Sequence, residues 1–168
     1  AQTFPAHPVR LVVPYPPGGV NDLVARAVAD RMSQTLGKPV VIANRAGAAT
    51  TVASNYAAKA PADGYTIYAG GTSLVINPTL QGNVQYDVKR DFRPVSLMSV
   101  TPFILHVNPA VPAKDLAELI AYARANPDRL NIASSGIGAT NHMAAELLKD
   151  AARIRLVHVP YKGGAQAG

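Results

Sequence analysis

Four stretches of this sequence set glycine beside hydroxyl or amide groups directly after an apolar run. Pro16-Pro17-Gly18-Gly19 follows Val9, Leu11, Val12 and Val13, and Gly70-Gly71-Thr72-Ser73 follows residues 66–69. The hydroxyl-rich segment 134–140 follows residues 130–133, and Pro160-Tyr161-Lys162-Gly163-Gly164 closes the run 154–159. Glycine allows positive φ and close backbone approach, and a helix that opens after such a turn points unpaired N–H groups and its positive dipole end at one spot. That chemistry suits a carboxylate or phosphate. The candidate ligand contacts are Tyr15, Pro17, Gly18, Gly19, Gly71, Thr72, Ser73, Ser134, Ser135, Gly138, Thr140, Tyr161 and Lys162. His142, beside the hydroxyl-rich loop, joins them. Asp22 falls in the first turn of the first helix, where it favours the dipole yet repels an anion unless it orients the loop or bound waters.

Other chemistries fit less well. The first loop is not followed by the Gly-Lys-Ser/Thr of a nucleotide-binding loop, and Gly136-x-Gly138-x-x-Asn141 ends in Asn with no acidic residue at a strand end about 20 residues on. His7, His106, His142 and His158 have no paired spacing, and cysteine is absent, so neither a metal site nor thiolate chemistry is expected. No G-x-S-x-G elbow occurs. Ser135 and His142 could still meet in space, which keeps a hydrolase acting on acyl or phosphate groups in the same cleft as the alternative.

The elements needed to hold these loops are legible in order. Val9, Leu11, Val12 and Val13 suit a strand buried on both faces. Leu23, Val24, Ala27, Val28, Met32 and Leu36 then recur at helical spacing, with Asn21 as N-cap and Gly37 and Pro39 as the stop. Residues 40–42 read as a second strand, 50–60 as an Ala-rich helix, 66–69 as a third strand, and 74–76 as helical up to a stop at Asn77-Pro78. Residues 81–94 read as a loop. Two apolar runs, 95–100 and 103–107, flank a break or strand edge at Thr101-Pro102. Helix 114–125, strand 130–133, a helix carrying Ala144, Leu147 and Leu148, and strand 154–159 complete the pattern. Strand-to-helix units in series imply a mainly parallel sheet with ligands off the strands' carboxyl ends. A first lobe over residues 1–101 and a second over 102–168 follow from the restart near Thr101.

Composition agrees with a folded chain that binds something small. The 168 residues are 48% hydrophobic, and 16 basic against 10 acidic side chains give +6. The excess is spread evenly, aromatics are 6%, and no basic and aromatic interleaving occurs, so nucleic acid is a poor fit and a mild field for small anions is the economical reading. No apolar run approaches the roughly 18 residues that cross a bilayer. Ala1-Gln2 would suit a mature end left after cleavage at small residues.

The stretches PVRLVVPYPPGGVNDLVAR, GKPVVIANRAGA, PADGYTIYAGGTSLVINP, YDVKRDFRPVSLM and HVPYKGG, taken in this order, resemble the tripartite tricarboxylate transporter substrate-binding proteins, the TctC or Bug family. The resemblance implies an α/β, periplasmic-binding-protein-like fold of two lobes with mainly parallel sheets flanked by helices, the second lobe incomplete at Gly168. It implies a non-catalytic periplasmic receptor without a cofactor, which binds a dicarboxylate, tricarboxylate, amino-acid or aromatic acid and passes it to membrane transporter subunits. Carried over by motif, Pro17, Gly18, Gly19 and Asp22 belong to the first loop, and Thr72 and Ser73 to the second. Ser134, Ser135, Gly138 and Thr140 belong to the second-lobe loop, and Tyr161-Lys162-Gly163 to its signature turn. The family's Asn-Arg-Pro-Gly turn is here Asn44-Arg45-Ala46-Gly47, with Ala49-Thr50 in place of the glycines that follow. A chain ending inside a lobe would leave sheet edges and apolar faces uncovered, so self-association or partial disorder is expected unless another chain completes the lobe.

Overall fold

A computed structural model describes residues 4–161. The chain falls into two compact units, Ala1–Val100 and Thr101–Gly168.

The first unit is built on β1 (Val9–Val13), in which Val9, Leu11, Val12 and Val13 are all buried. Strands β2 (Val40–Asn44) and β3 (Thr66–Tyr68) flank it in parallel, in the order β2-β1-β3, with Leu11 opposite both Ile42 and Ile67. Parallel pairing brings the carboxyl ends of all three strands to one edge. Helix α1 (Val20–Leu36) covers one face and ends at Gly37 in the left-handed conformation, φ 64°. Ala25 and Ala29 press it against Val9, Leu11, Val13 and Val40.

The buried stripe of α1 differs from the one expected. Leu23 is 59% exposed, while Asp22, Ala25 and Ala29 face inward. The helix is turned so that Asp22 can serve the preceding loop, and two alanines allow the close approach that larger side chains would block. Its N-cap is Gly19 in extended conformation, with no side-chain cap bond, and not Asn21.

The other face of the sheet carries α2 (Thr51–Ala58), reached through a 3-10 turn at Ala48–Thr50 whose three residues all have positive φ (44°, 50° and 78°). Ala53 and Ser54 of α2 are buried. Helix α3 (Ser73–Gln81) runs through the expected stop, with Pro78 inside it. Pro78 has no N–H for the Leu74 carbonyl, and the Tyr86 hydroxyl takes that acceptor at 2.9 Å. Within the expected loop 81–94 sits a single turn, α4 (Val88–Asp91), capped by the Asp87 side chain on the Lys89 and Arg90 amides. The apolar run 95–100 beyond it has no ladder partner among the described residues, and Val95 and Val100 are 87% and 79% exposed.

In the second unit, the run 103–107 likewise joins no ladder. Helix α5 (Leu116–Ala125) is capped by Asp115, whose side chain accepts from the Glu118 N–H. Strand β4 (Asn131–Ser134), helix α6 (Thr140–Ala152) and strand β5 (Val157–Pro160) follow, and β4 and β5 pair in parallel with Ala133 opposite Val159. The core is Ala123, Ala152 and Ile154, with Ile120, Leu130, Leu148 and Leu156 packed on it. Arg124 binds α5 to the end of α6 through the Ala152 carbonyl, at 3.0 and 2.6 Å. Ala144 and Leu147 lie on the solvent side of α6, the latter 69% exposed.

Candidate functional site

In the first unit the loops after β1 and β3 meet at the carboxyl edge. The Asp22 carboxylate, 1% exposed, lies beneath them. Its Oδ2 accepts from the Gly18 N–H at 2.9 Å and from Arg26 Nε at 2.8 Å, and its Oδ1 accepts from Asn44 Nδ2 at 2.8 Å. Asn44 Nδ2 also donates to the Tyr15 carbonyl at 3.0 Å, so the end of β2 holds the end of β1 through this acid. Arg26 beside it, then Asn44 and Gly18, hold the Asp22 carboxyl down to about 2 against the opposing effect of burial. Its lone pairs are committed to the loop, to α1 and to the end of β2.

Ser73 is fully buried and hydrogen-bonds the Tyr15 hydroxyl, whose pKa burial pushes up while that bond draws it down. A methyl added at Gly71 would come within 3.7 Å of the same hydroxyl, so loops one and two adjoin. What faces solvent is Pro17, Gly18, Gly71 and Thr72, with Gly19 half-buried. Asp22 and Ser73 form the layer below.

In the second unit Ser134 is fully buried at the end of β4. Its Oγ lies 2.6 Å from His158 Nε2 and accepts from the Gly136 N–H at 3.2 Å, and its carbonyl accepts from the Tyr161 N–H at 2.8 Å. Ser135 Oγ donates to Asn141 Oδ1 at 3.0 Å. The Gly138 N–H donates to His142 Nδ1 at 3.1 Å, and the His142 ring stacks on His158 with centroids 4.0 Å apart. Burial first, then His142, lowers the pKa of His158. Thr140, half-buried, opens α6, and Tyr161 is 41% exposed. Lys162, Gly163 and Gly164 lie outside the described residues.

The pair Ser135 and His142, expected as the hydrolytic alternative, is not formed: Ser135 engages Asn141, and His142 engages the Gly138 amide. The serine that does touch a histidine is Ser134, which has no exposed surface and is engaged in closing its own loop. A nucleophile needs access to its substrate. Sequence reasoning did not single out Asn44, Arg26, Asn141 or His158 as structural partners of the loops. The i,i+4 spacing of Asp22 and Arg26 offered a local signal, and Asn141 reaches Ser135 from the first turn of α6, six residues on; Asn44 and His158 are brought in by strand pairing.

Capping divides the helices into two groups. Helices α1, α2, α3 and α6, which follow the ends of β1, β2, β3 and β4, have no side-chain cap bond at their N-termini. Helices α4 and α5, which follow no strand, are capped by Asp87 and Asp115. Side-chain capping adds about 1 kcal/mol, and here it is missing only at the strand ends. No helix among the described residues is long and apolar enough to cross a membrane.

Residues 24–167 match the profile of the tripartite tricarboxylate transporter family receptor. The chain is 42% identical over 98% of its length to a UPF0065 protein of Pseudomonas sp., and 36% identical over 99% to the protein BugT of Bordetella pertussis. Among solved structures, an R. palustris protein with adipate aligns at TM-score 0.87 with 37% identity, and MatC from Rhodopseudomonas palustris with bound malate at 0.86 with 34%. The periplasmic binding protein BugD aligns at 0.81 with 34% identity. These alignments cover 95–98% of this chain and 55% of each of the solved chains. The chain spans about half the length of the curated relatives it matches, 49% and 52% for the two above.

Proposed function

The chain belongs to the tripartite tricarboxylate transporter receptor family, and from that premise we propose that it is part of a periplasmic receptor that binds a small carboxylate and delivers it to membrane transporter subunits. The observation that carries this reading is the capping contrast. Helix N-termini that lack a side-chain cap behind strand ends offer positive dipole ends to an incoming carboxylate, with free N–H donors where the backbone does not already take them, as it does for Leu74 and Val75 of α3. In the first unit the donors are the open backbone around Gly19 and the Thr72 hydroxyl. In the second they come from the Thr140 hydroxyl and the start of α6, since the Ser135, Gly136, Gly138 and Ala139 amides are already engaged within the loop. Aliphatic diacids are the first substrates to try, since two relatives are described with adipate and malate.

The test is a variant that closes the site while helping the fold. Gly19 has φ −77° and ψ 165°, and a Cβ there would approach only the Pro16 carbonyl, at 3.9 Å. Gly19→Asp should therefore cap α1, adding about 0.5–1 kcal/mol, and place a negative charge where the acid would bind. Melting curves with adipate and with malate read both effects, because a ligand that binds only the folded state raises its stability by about 2.7 kcal/mol at a hundredfold excess over Kd. The expected outcome is a shift in the wild type and none in a Gly19→Asp chain that melts no lower. An unchanged acid response in that variant would refute the placement at α1.

A further inference from the structure

We propose that His142 and His158 form a proton-sensitive latch on the loop 134–140, holding it in its ordered form only while His142 Nδ1 is unprotonated. The argument begins with one hydrogen bond. The Gly138 N–H donates to His142 Nδ1 at 3.1 Å, which requires a lone pair on that nitrogen. A proton there sets donor against donor, and the loop must let go. The second ring holds the other end of the same loop, since His158 Nε2 lies 2.6 Å from the fully buried Ser134 Oγ, which also accepts the Gly136 N–H.

The two rings are stacked, with centroids 4.0 Å apart and planes 20° from parallel. Two imidazolium cations at that distance repel, so the first proton opposes the second and the pair titrates in coupled steps. The charged groups facing the pair are on α6. Glu146 Oε1 lies 3.7 Å from His142 Nε2, and Lys149 Nζ lies 2.8 Å from the same carboxylate oxygen. Lys149 therefore offsets the attraction that Glu146 would exert on a ring cation. The lowered pKa of His158, caused by burial and then by His142, points the same way. As pH falls below 6.5, the ordinary histidine value, keeping His158 neutral becomes costly, and a proton on His142 Nδ1 removes the acceptor of the Gly138 N–H.

His142 and His158 are thus positioning residues, acting on the Gly138 amide and on Ser134. The loop measurement needs no ligand; the binding arm alone rests on the carboxylate-receptor reading. In the full chain, imidazole and amide nitrogens followed by NMR from about pH 8 to pH 5 should show neutral His142 carrying its proton on Nε2. The Gly138 amide should lose exchange protection in step with the ring titration. In His142→Gln, whose amide oxygen can still accept the Gly138 N–H, that loss should vanish; in His158→Gln the two coupled steps should collapse to one. A neutral His142 protonated on Nδ1, or a Gly138 amide indifferent to the titration, overturns the latch. In the binding arm, wild-type affinity for adipate or malate should fall more steeply than that of His142→Gln, by up to roughly tenfold per pH unit for one linked proton. The acid's own ionisation cancels in this comparison. Equal slopes sever the latch from binding, whereas failure of both acids at every pH counts against the receptor reading and leaves the NMR result standing.

Discussion

Asp22→Asn keeps the shape of the side chain and removes its charge, so it tests whether one buried acid organises the first loop. The carboxylate accepts from the Gly18 N–H, Asn44 Nδ2 and Arg26. An amide offers one oxygen and turns an NH2 group towards the other side, so either the Gly18 N–H or Asn44 Nδ2 must face a donor. An unpaired buried group costs about 1–3 kcal/mol. The Arg26 side chain is 48% exposed and recovers water, so its share is small. This gives a loss of about 1–3 kcal/mol, or roughly 2–12 °C in Tm for a chain of this size. Because the Asp22 carboxyl is held down to about 2, its contribution is complete above its ordinary value of 3.8 and fades as pH falls towards 2. Denaturant titrations of both chains should therefore converge across that window. Asp91→Asn is the control: its carboxyl is also held at about 2, by Arg90 first, but that arginine is 74% exposed and screened by water, so the loss should be clearly smaller. Equal losses in the two variants, or a gap that ignores acid, would refute the reasoning.

Two other substitutions separate the loop's conformation from helix stability. Gly18 has φ +85° with nothing within 4 Å of an added Cβ, so Gly18→Ala should cost about 1–2 kcal/mol of purely conformational strain, read as a lower denaturant midpoint. Asp115→Ala removes a cap from a helix that follows no strand; it should lower stability by about 1 kcal/mol and leave the melting shift produced by adipate intact.

Much of this architecture is legible in local sequence because local chemistry fixes it. Val9, Leu11, Val12 and Val13, broken only by Arg10, mark a strand central to a covered sheet, and Gly37 can end α1 in the left-handed region at no steric cost. The glycine and hydroxyl clusters mark the strand ends for the same reason. The inward turn of α1 is not legible, because hydropathy assigns Asp22 to solvent while Asn44, twenty-two residues later, supplies the partner that lets it be buried. Pro78 reads as a stop until Tyr86 is known to satisfy the carbonyl it frees. The runs 95–100 and 103–107 have strand composition, but a strand also needs a neighbour, and composition carries no information about one. His158 reads as an ordinary histidine until β4 and β5 pair and bring it to Ser134.

The two alanines on the hidden side of α1 act as a depth stop. With Ala25 and Ala29 at 0% and 2% exposure against β1, the thickness of two methyl groups sets how far the helix axis stands from the sheet, and so where its first turn presents its amides. Close-packed interiors transmit such changes as rigid displacement. The loop edge is therefore set from behind, and a single carbon added at Ala25 or Ala29 would shift where α1 presents its first turn without touching the loops themselves.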